Sequence, residues 1–168
     1  WGGEVFAGQV PHLDRVGHLE EVPMPGGDLA TRFPERMLYG ILPEERVLKI
    51  LRGRGWTDIQ CGVLARQVER GVNVAWTSST GRVLDAVSAL LGVCRERTYD
   101  GEPARRLEAA AYSGTASEWP LEFLEKPGAE VLSTRSLVRR ALGEYREGRS
   151  GADVAASVQH NLAKGIAH

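Results

Sequence analysis

The stretch Thr77–Gly92, TSSTGRVLDAVSALLG, sets small hydroxyl-bearing residues directly before an apolar pattern of helical period. At about 100° per residue, Val83, Leu84, Val87, Leu90 and Leu91 fall on one stripe, which predicts a helix from Ser79 or Thr80 to Leu91. Asp85 lies almost opposite the centre of that stripe, with Arg82 three residues before it. From the residues alone two readings of Asp85 stand, and the first is the better supported. An exposed acid paired loosely with Arg82 adds a few tenths of a kcal/mol to the helix. A carboxylate facing a cleft can instead accept hydrogen bonds from a ribose or another hydroxylated ligand. Ser79 and Gly81 supply a small-residue helix start whose backbone N–H groups suit an anion, although such starts are common.

Outward from this helix the chain divides in two. Residues 1–30 read as β: EVFAGQV sets bulky Val5 and Phe6 among small residues, and the breaker-rich VPHLD and PMPGGD suit a hairpin or meander. Residues 33–168 read as helical. Pro43 suits the first turn of a helix that buries Val47, Leu48, Ile50 and Leu51 and stops at Gly53. Asp58 is expected to cap a second helix burying Ile59, Val63, Leu64 and Val68, with Gly71 as its stop. The Thr80 helix is the third, and Asp100 is expected to cap a fourth through EPARRLEAAAY. SEWPLEFLEKPGAE reads as an irregular connection. A fifth helix buries Leu137, Val138, Ala141, Leu142 and Tyr145, and a sixth, opened by Ser150, buries Val154, Val158, Leu162 and Ile166. The fold class is α+β, mainly α: an N-terminal β hairpin and about six helices in a single domain spanning 1–168.

Composition narrows function by exclusion. A formal net charge of −1 over 168 residues gives no global field to draw in nucleic acid or an anionic membrane. No apolar run reaches the ~18 residues of a membrane span, and no signal peptide opens the chain. Cys61 and Cys94 have neither CxxC spacing nor a neighbouring histidine, and read as two buried, inert thiols in a reducing, cytoplasmic setting. His12 and His18 lack metal-ligand spacing and read as surface residues, as do His160 and Asn161 on the last helix. PMPGGD lacks the spacing of a phosphate loop. Arg105, Arg106, Arg139 and Arg140 read as solvated charge, and no Ser–His–Asp or Cys–His arrangement can be argued. The residues by themselves identify no catalytic group.

A resemblance carries the reading further. TSSTGRVLDAVSALLG followed by TYDGEPARRLEAAA resembles the segment of HypF-type hydrogenase maturation carbamoyltransferases that runs TSSxGRLFDAxAALLG and then YEGxAAxxLE. In the same order, WGGEVF, LEEVPMPGGDLATRFPERM, GVNVAWTSSTGR and VQHNLA resemble that family's WGGE strand, LxPFPLPGGDxAxREPWRM, LNxPxTSSxGR and FHNxLA. The resemblance implies a central slice of a Kae1-like module, an actin/Hsp70-like ATPase fold. It implies a complete enzyme that uses carbamoyl phosphate and ATP, with magnesium, to form carbamoyl adenylate. The carbamoyl group then passes to the C-terminal cysteine of a HypE-type partner on the way to nickel–iron hydrogenase. By the same resemblance Asp85 contacts the nucleotide or adenylate, with Ser79 and Gly81 at its helix start and Tyr99, Gly101 and Glu102 at the YxG turn. Catalytic residues stay unassigned. The metal-binding histidines, the DGTG-like loop and the SGGVFQN-like segment are expected outside the chain, which starts at Trp1 rather than Met, so the slice is expected to bind no metal and to be inactive alone. Leu84 replaces the family Phe, and Arg106 replaces a family Glu, a reversal of charge beside the expected pocket. Two other readings remain: a helical interaction domain whose nucleotide site has decayed, and a module of an O-carbamoyltransferase acting on a small hydroxylated metabolite.

Overall fold

The computed structural model describes residues 2–168. Strands β1 (Glu4–Gln9) and β2 (His12–Leu19) form the expected hairpin, with a bulge at Val5/Phe6. The hairpin belongs to a four-stranded sheet ordered β1-β2-β6-β5, in which β6 (Ala129–Leu132) runs parallel to β2 and antiparallel to β5 (Phe123–Lys126). The Pro- and Gly-interrupted connection read from the sequence is therefore a second hairpin turning at Pro127–Gly128. Its strands are four residues each and carry little alternation, which is why they left no strand-like trace. Strand β3 (Val22–Pro25) pairs antiparallel with β4 (Val74–Thr77), a strand that runs straight into the TSSTG turn.

Among the described residues eight helices replace the six expected. The two additional ones are α1 (Asp28–Arg32) and α2 (Pro34–Ile41), followed by α3 (Glu45–Gly53), α4 (Asp58–Arg70), α5 (Thr80–Leu90), α6 (Glu102–Ala111), α7 (Thr134–Arg146) and α8 (Gly151–Ile166). Helix α2 is buried around almost its whole circumference, so it has no polar face to betray its period. It crosses β3 at Gly40, where a Cβ would come within 2.2 Å of the Pro23 carbonyl oxygen. Helix α5 packs against α2, α6, α7 and α8 and is the centre of the core.

Local signals were partly misread. Thr57, in a reciprocal capping box with Gln60, caps α4 in place of Asp58. Asp100 does not cap α6; that position belongs to Gly101 at φ 76°, and Asp100 bonds Arg97 instead. Helix α4 turns Cys61 and Leu64 inward and leaves Ile59, 77% exposed, and Val63 outside. On α7 the buried face is rotated so that Glu144, held by Arg140 and Arg149, is enclosed while Tyr145 is exposed; Ile166, in the last turn of α8, is exposed as well. Both thiols are buried and free, and burial pushes each above the usual thiol range. Among the described residues no helix is long and apolar enough to cross a membrane.

Two residues read as surface residues are enclosed. His18 is buried, with Nδ1 2.8 Å from the Leu19 carbonyl oxygen. Asn161 is fully buried: its Oδ1 accepts from the Trp119 N–H at 2.8 Å, and its Nδ2 donates to the Ser117 and Ser157 carbonyls, each at 2.7 Å. It ties the segment after α6 to α8. Asn161→Ala strands a buried N–H and a buried carbonyl, and is expected to lower the unfolding free energy by about 2–4 kcal/mol in urea titrations.

Candidate functional site

The site is built on the start of α5. Strand β4 delivers Thr77 and Ser78 into a turn in which the Ser79 N–H donates to Thr77 Oγ1 at 3.1 Å. Ser79 is the N-cap, in extended conformation, and its hydroxyl caps no backbone N–H of the helix. Gly81 lies in the first turn, where the nearest atom to an added Cβ would be Ser79 Oγ at 3.5 Å. The helix start thus keeps an unused hydroxyl beside a position with no side-chain bulk.

Asp85 follows one turn later, and here the structure corrects the expectation of an exposed acid. Its relative exposure is 2%. The Arg82 partnership does form, with Arg82 Nη1 2.9 Å from Asp85 Oδ2. Their alignment does not make a hydrogen bond, and neither atom has another hydrogen-bond partner. Burial is the dominant influence on this carboxyl and raises it from 3.8 to about 6, against the opposing pull of Arg82 and Arg97 and with a smaller push from Asp100. The apolar stripe chosen from the sequence is correct, but the opposite side of α5 is covered too, by the elements that follow it.

An open cleft of about 740 Å³ is lined by Gly26 and Gly27, the start of α1, Asn73 and the Arg97–Asp100 turn; of the expected site residues only Tyr99 lines it, and Ser79, Gly81, Asp85, Gly101 and Glu102 do not. Arg97 closes one side of it: its Nη1 donates to Asp100 Oδ1 at 2.7 Å, its Nη2 to Thr31 Oγ1 at 3.3 Å, and its backbone N–H to the Arg32 carbonyl at 2.7 Å. The same Arg97 and Asp100 act electrostatically on Asp85, although the carboxylate itself does not line the cleft. Tyr99 is 48% exposed and faces this space. Sequence reasoning missed Arg97 and dismissed PMPGGD. The signal that was available is the positive φ expected of Gly26 and Gly27, which lets the backbone itself form the cavity wall.

Gly101 and Glu102 take a different place from Ser79 and Asp85. Gly101 provides the left-handed turn that ends the Arg97–Asp100 wall. Glu102 is buried, and its oxygens are committed within the chain: Oε2 accepts from the Thr98 N–H at 2.6 Å and hydroxyl at 2.8 Å, and Oε1 pairs with Arg106 at 2.7 Å. The Thr98 N–H bond is the main reason its carboxyl is held below the usual range, outweighing burial. Glu102 shapes the turn, and Arg106 balances its charge. Among the described residues no group of three or more His, Cys, Asp or Glu is arranged to hold a metal ion.

Comparison with known proteins gives the family. The family described as the carbamoyltransferase Kae1-like domain, second subdomain, matches residues 1–168, and the chain belongs to that family. It is similar to the probable carbamoyltransferase HypF of Methanocaldococcus jannaschii, 51% identical over 115 residues that make up 66% of this chain and 15% of that protein. It is also similar to a carbamoyltransferase HypF homolog of Cupriavidus necator, 32% identical over 159 residues, 90% of this chain and 40% of that protein. Among solved structures, T. kodakarensis HypF superposes with a TM-score of 0.84 at 34% identity, covering 100% of this chain and 23% of that one. A full-length HypF in a phosphate- and nucleotide-bound form shares the fold, with a TM-score of 0.87 at 24% identity over 99% of this chain and 26% of that one. The chain spans well under half the length of these relatives.

The buried carboxylate has a measurable cost. Below about pH 4 Asp85 is protonated in folded and unfolded chains alike and makes no difference. Between about 4 and 6 the unfolded chain ionises first, and above about 6 the folded chain bears the full penalty of a buried charge. Asp85→Asn is therefore expected to raise stability at pH 7 by about 2–3 kcal/mol, a gain that shrinks to nothing as the pH falls to 4. Denaturant titrations of both chains across that range check it.

Proposed function

We propose that the chain forms one wall of a carbamoyl adenylate site. The parent protein would be a carbamoyltransferase that draws on carbamoyl phosphate and ATP and passes the carbamoyl group to the C-terminal cysteine of a HypE-type maturation protein. The observation that carries this reading is Asp85. A carboxylate that burial pushes up to about 6, inside the TSSTGRVLDA motif and within electrostatic reach of the cleft residues Arg97 and Asp100, has the marks of a group kept for a ligand.

In this reading Asp85, ionised above about pH 6, accepts hydrogen bonds from both ribose hydroxyls of the nucleotide. Ser79 offers its hydroxyl and Gly81 its backbone N–H, at the positive end of α5, to the acyl-phosphate side of the adenylate. Tyr99 lines the cleft on the turn that Glu102 holds, and Gly101 ends that turn. The Arg106–Glu102 pair answers the doubt raised by the reversed charge, because the arginine is spent on a buried acid of its own helix and does not enter the cavity lining. The chain has no residue set for a metal among those described, and no step is assigned to one within it. The remaining parts of the longer protein supply the other wall and the chemistry on the phosphates, so the chain alone is expected to be inactive.

Asp85→Ala in the complete protein tests this. Loss of a charged hydrogen-bond acceptor to the ribose is expected to cost about 1.5–3 kcal/mol, or roughly ten- to a hundredfold in carbamoyl adenylate formation. The wild-type KM for ATP is expected to rise as the pH falls below about 6, where Asp85 takes up a proton. Full activity in Asp85→Ala would refute the assignment.

A further inference from the structure

The lead-in to β1 is held against the start of α5 by one side chain that the site as described does not use. Glu4 Oε2 accepts from two consecutive backbone amides, Gly2 N–H at 2.5 Å and Gly3 N–H at 3.0 Å, and Glu4 Oε1 accepts from the Ser78 hydroxyl. Burial pushes this carboxyl up, but the Gly2 amide, the Ser78 hydroxyl and the Gly3 amide outweigh it and hold it below the usual range. The backbones close on each other around this knot. Thr80 N–H donates to the Gly2 carbonyl at 3.3 Å, and Leu19 N–H donates to the Gly3 carbonyl at 2.9 Å. A Cβ on Gly3 would lie 2.2 Å from the Ser78 carbonyl oxygen, and one on Gly2 would lie 3.2 Å from Ser79 Oγ. Gly2 has φ 128°, a conformation that L side chains rarely adopt.

We infer that Glu4 is a positioning residue for the α5 ligand site, fixing the Ser78–Ser79 turn so that the Ser79 hydroxyl and the Gly81 amide are aimed before ligand arrives. The inference rests on the proposed adenylate site. Two successive amides converging on one point form an anion-binding concavity, and here a carboxylate of the same strand fills it. With Glu4 in place, the Gly2–Gly3 backbone is rigid, its carbonyl is directed at Thr80, and Ser78 is tied down. Without it, both amides and the Ser78 hydroxyl lose their acceptor, and the turn that carries Ser79 is no longer set by β1. Preorganisation of this kind is felt in ligand affinity, because the binding step must then order the turn as well.

The complete protein is the material for the test, with carbamoyl-phosphate-dependent adenylate formation measured against ATP concentration and thermal melts run in parallel. Glu4→Ala is expected to raise the KM for ATP about tenfold at temperatures well below its melt. Glu4→Gln keeps one oxygen for the glycine amides and an NH₂ that can bond Ser78, and is expected to stay within about threefold of the parent. Val158→Ala, a core cavity far from this knot in the chain, serves as the stability control: it lowers the melt and leaves the KM for ATP unchanged. The inference is overturned if Glu4→Ala behaves like Val158→Ala, with activity tracking the folded fraction at constant KM, or if Glu4→Gln is as impaired as Glu4→Ala. A protein impaired by Asp85→Ala but indifferent to Glu4→Ala sinks this inference alone. One indifferent to Asp85→Ala removes the site and the inference with it.

Discussion

A carboxylate has to be buried in a helix that is itself buried. Helix α5 carries the apolar stripe of Val83, Val87 and Leu90 into the middle of the core, and Ala86, Ser88 and Ala89 are enclosed on its other sides. The small residues suit the packing of α5 against α2 and α6, and Asp85 is buried with them. The Arg82 contact at 2.9 Å recovers only part of the lost hydration because it is not aligned as a hydrogen bond. A core optimised for stability alone would place an asparagine or an apolar residue here. Retaining the acid makes sense when something outside the free protein completes its coordination.

The surrounding polar residues serve the same end by holding turns in place. Arg97 joins the α1 turn to the Thr98–Gly101 turn across the cavity, and Glu102 fixes the second of these through the Thr98 amide and hydroxyl. At the other end, Glu4 ties the start of β1 to the turn before α5. Each of these charged groups is spent on backbone or on a partner within the chain. Ser79 Oγ and the Asp85 carboxylate stand out as the polar groups of the α5 start left without an aligned partner.

Much of this was legible in residue patterns, and the exceptions share a cause. The caps at Ser79 and Ser150 and the stop at Gly71 are local chemistry, so spacing alone located α5, α8 and the end of α4. The fold family came from the motif TSSTGRVLDAVSALLG, not from periodicity, which favoured an exposed acid at Asp85. Helical phase says which side of α5 is apolar but not that α6 will cover the polar side. The same limit hid α2, which is buried all round, and Asn161, whose partners at Ser117 and Trp119 are more than 40 residues away. The β5–β6 hairpin was missed because four-residue strands show too few alternations to register. Residues whose role depends on distant segments, Arg97 and Glu4 among them, had no local mark at all.

The claim on which the rest depends is that the fold itself disfavours the charge on Asp85. Carbon-detected NMR of the side-chain carboxyl, with aspartate labelled and Asp85 assigned by its asparagine variant, measures this directly through a pH titration of the free protein. The account predicts a midpoint near 6. A midpoint at or below 3.8 would contradict it, showing a carboxylate that is already satisfied within the chain and has no need of a ligand.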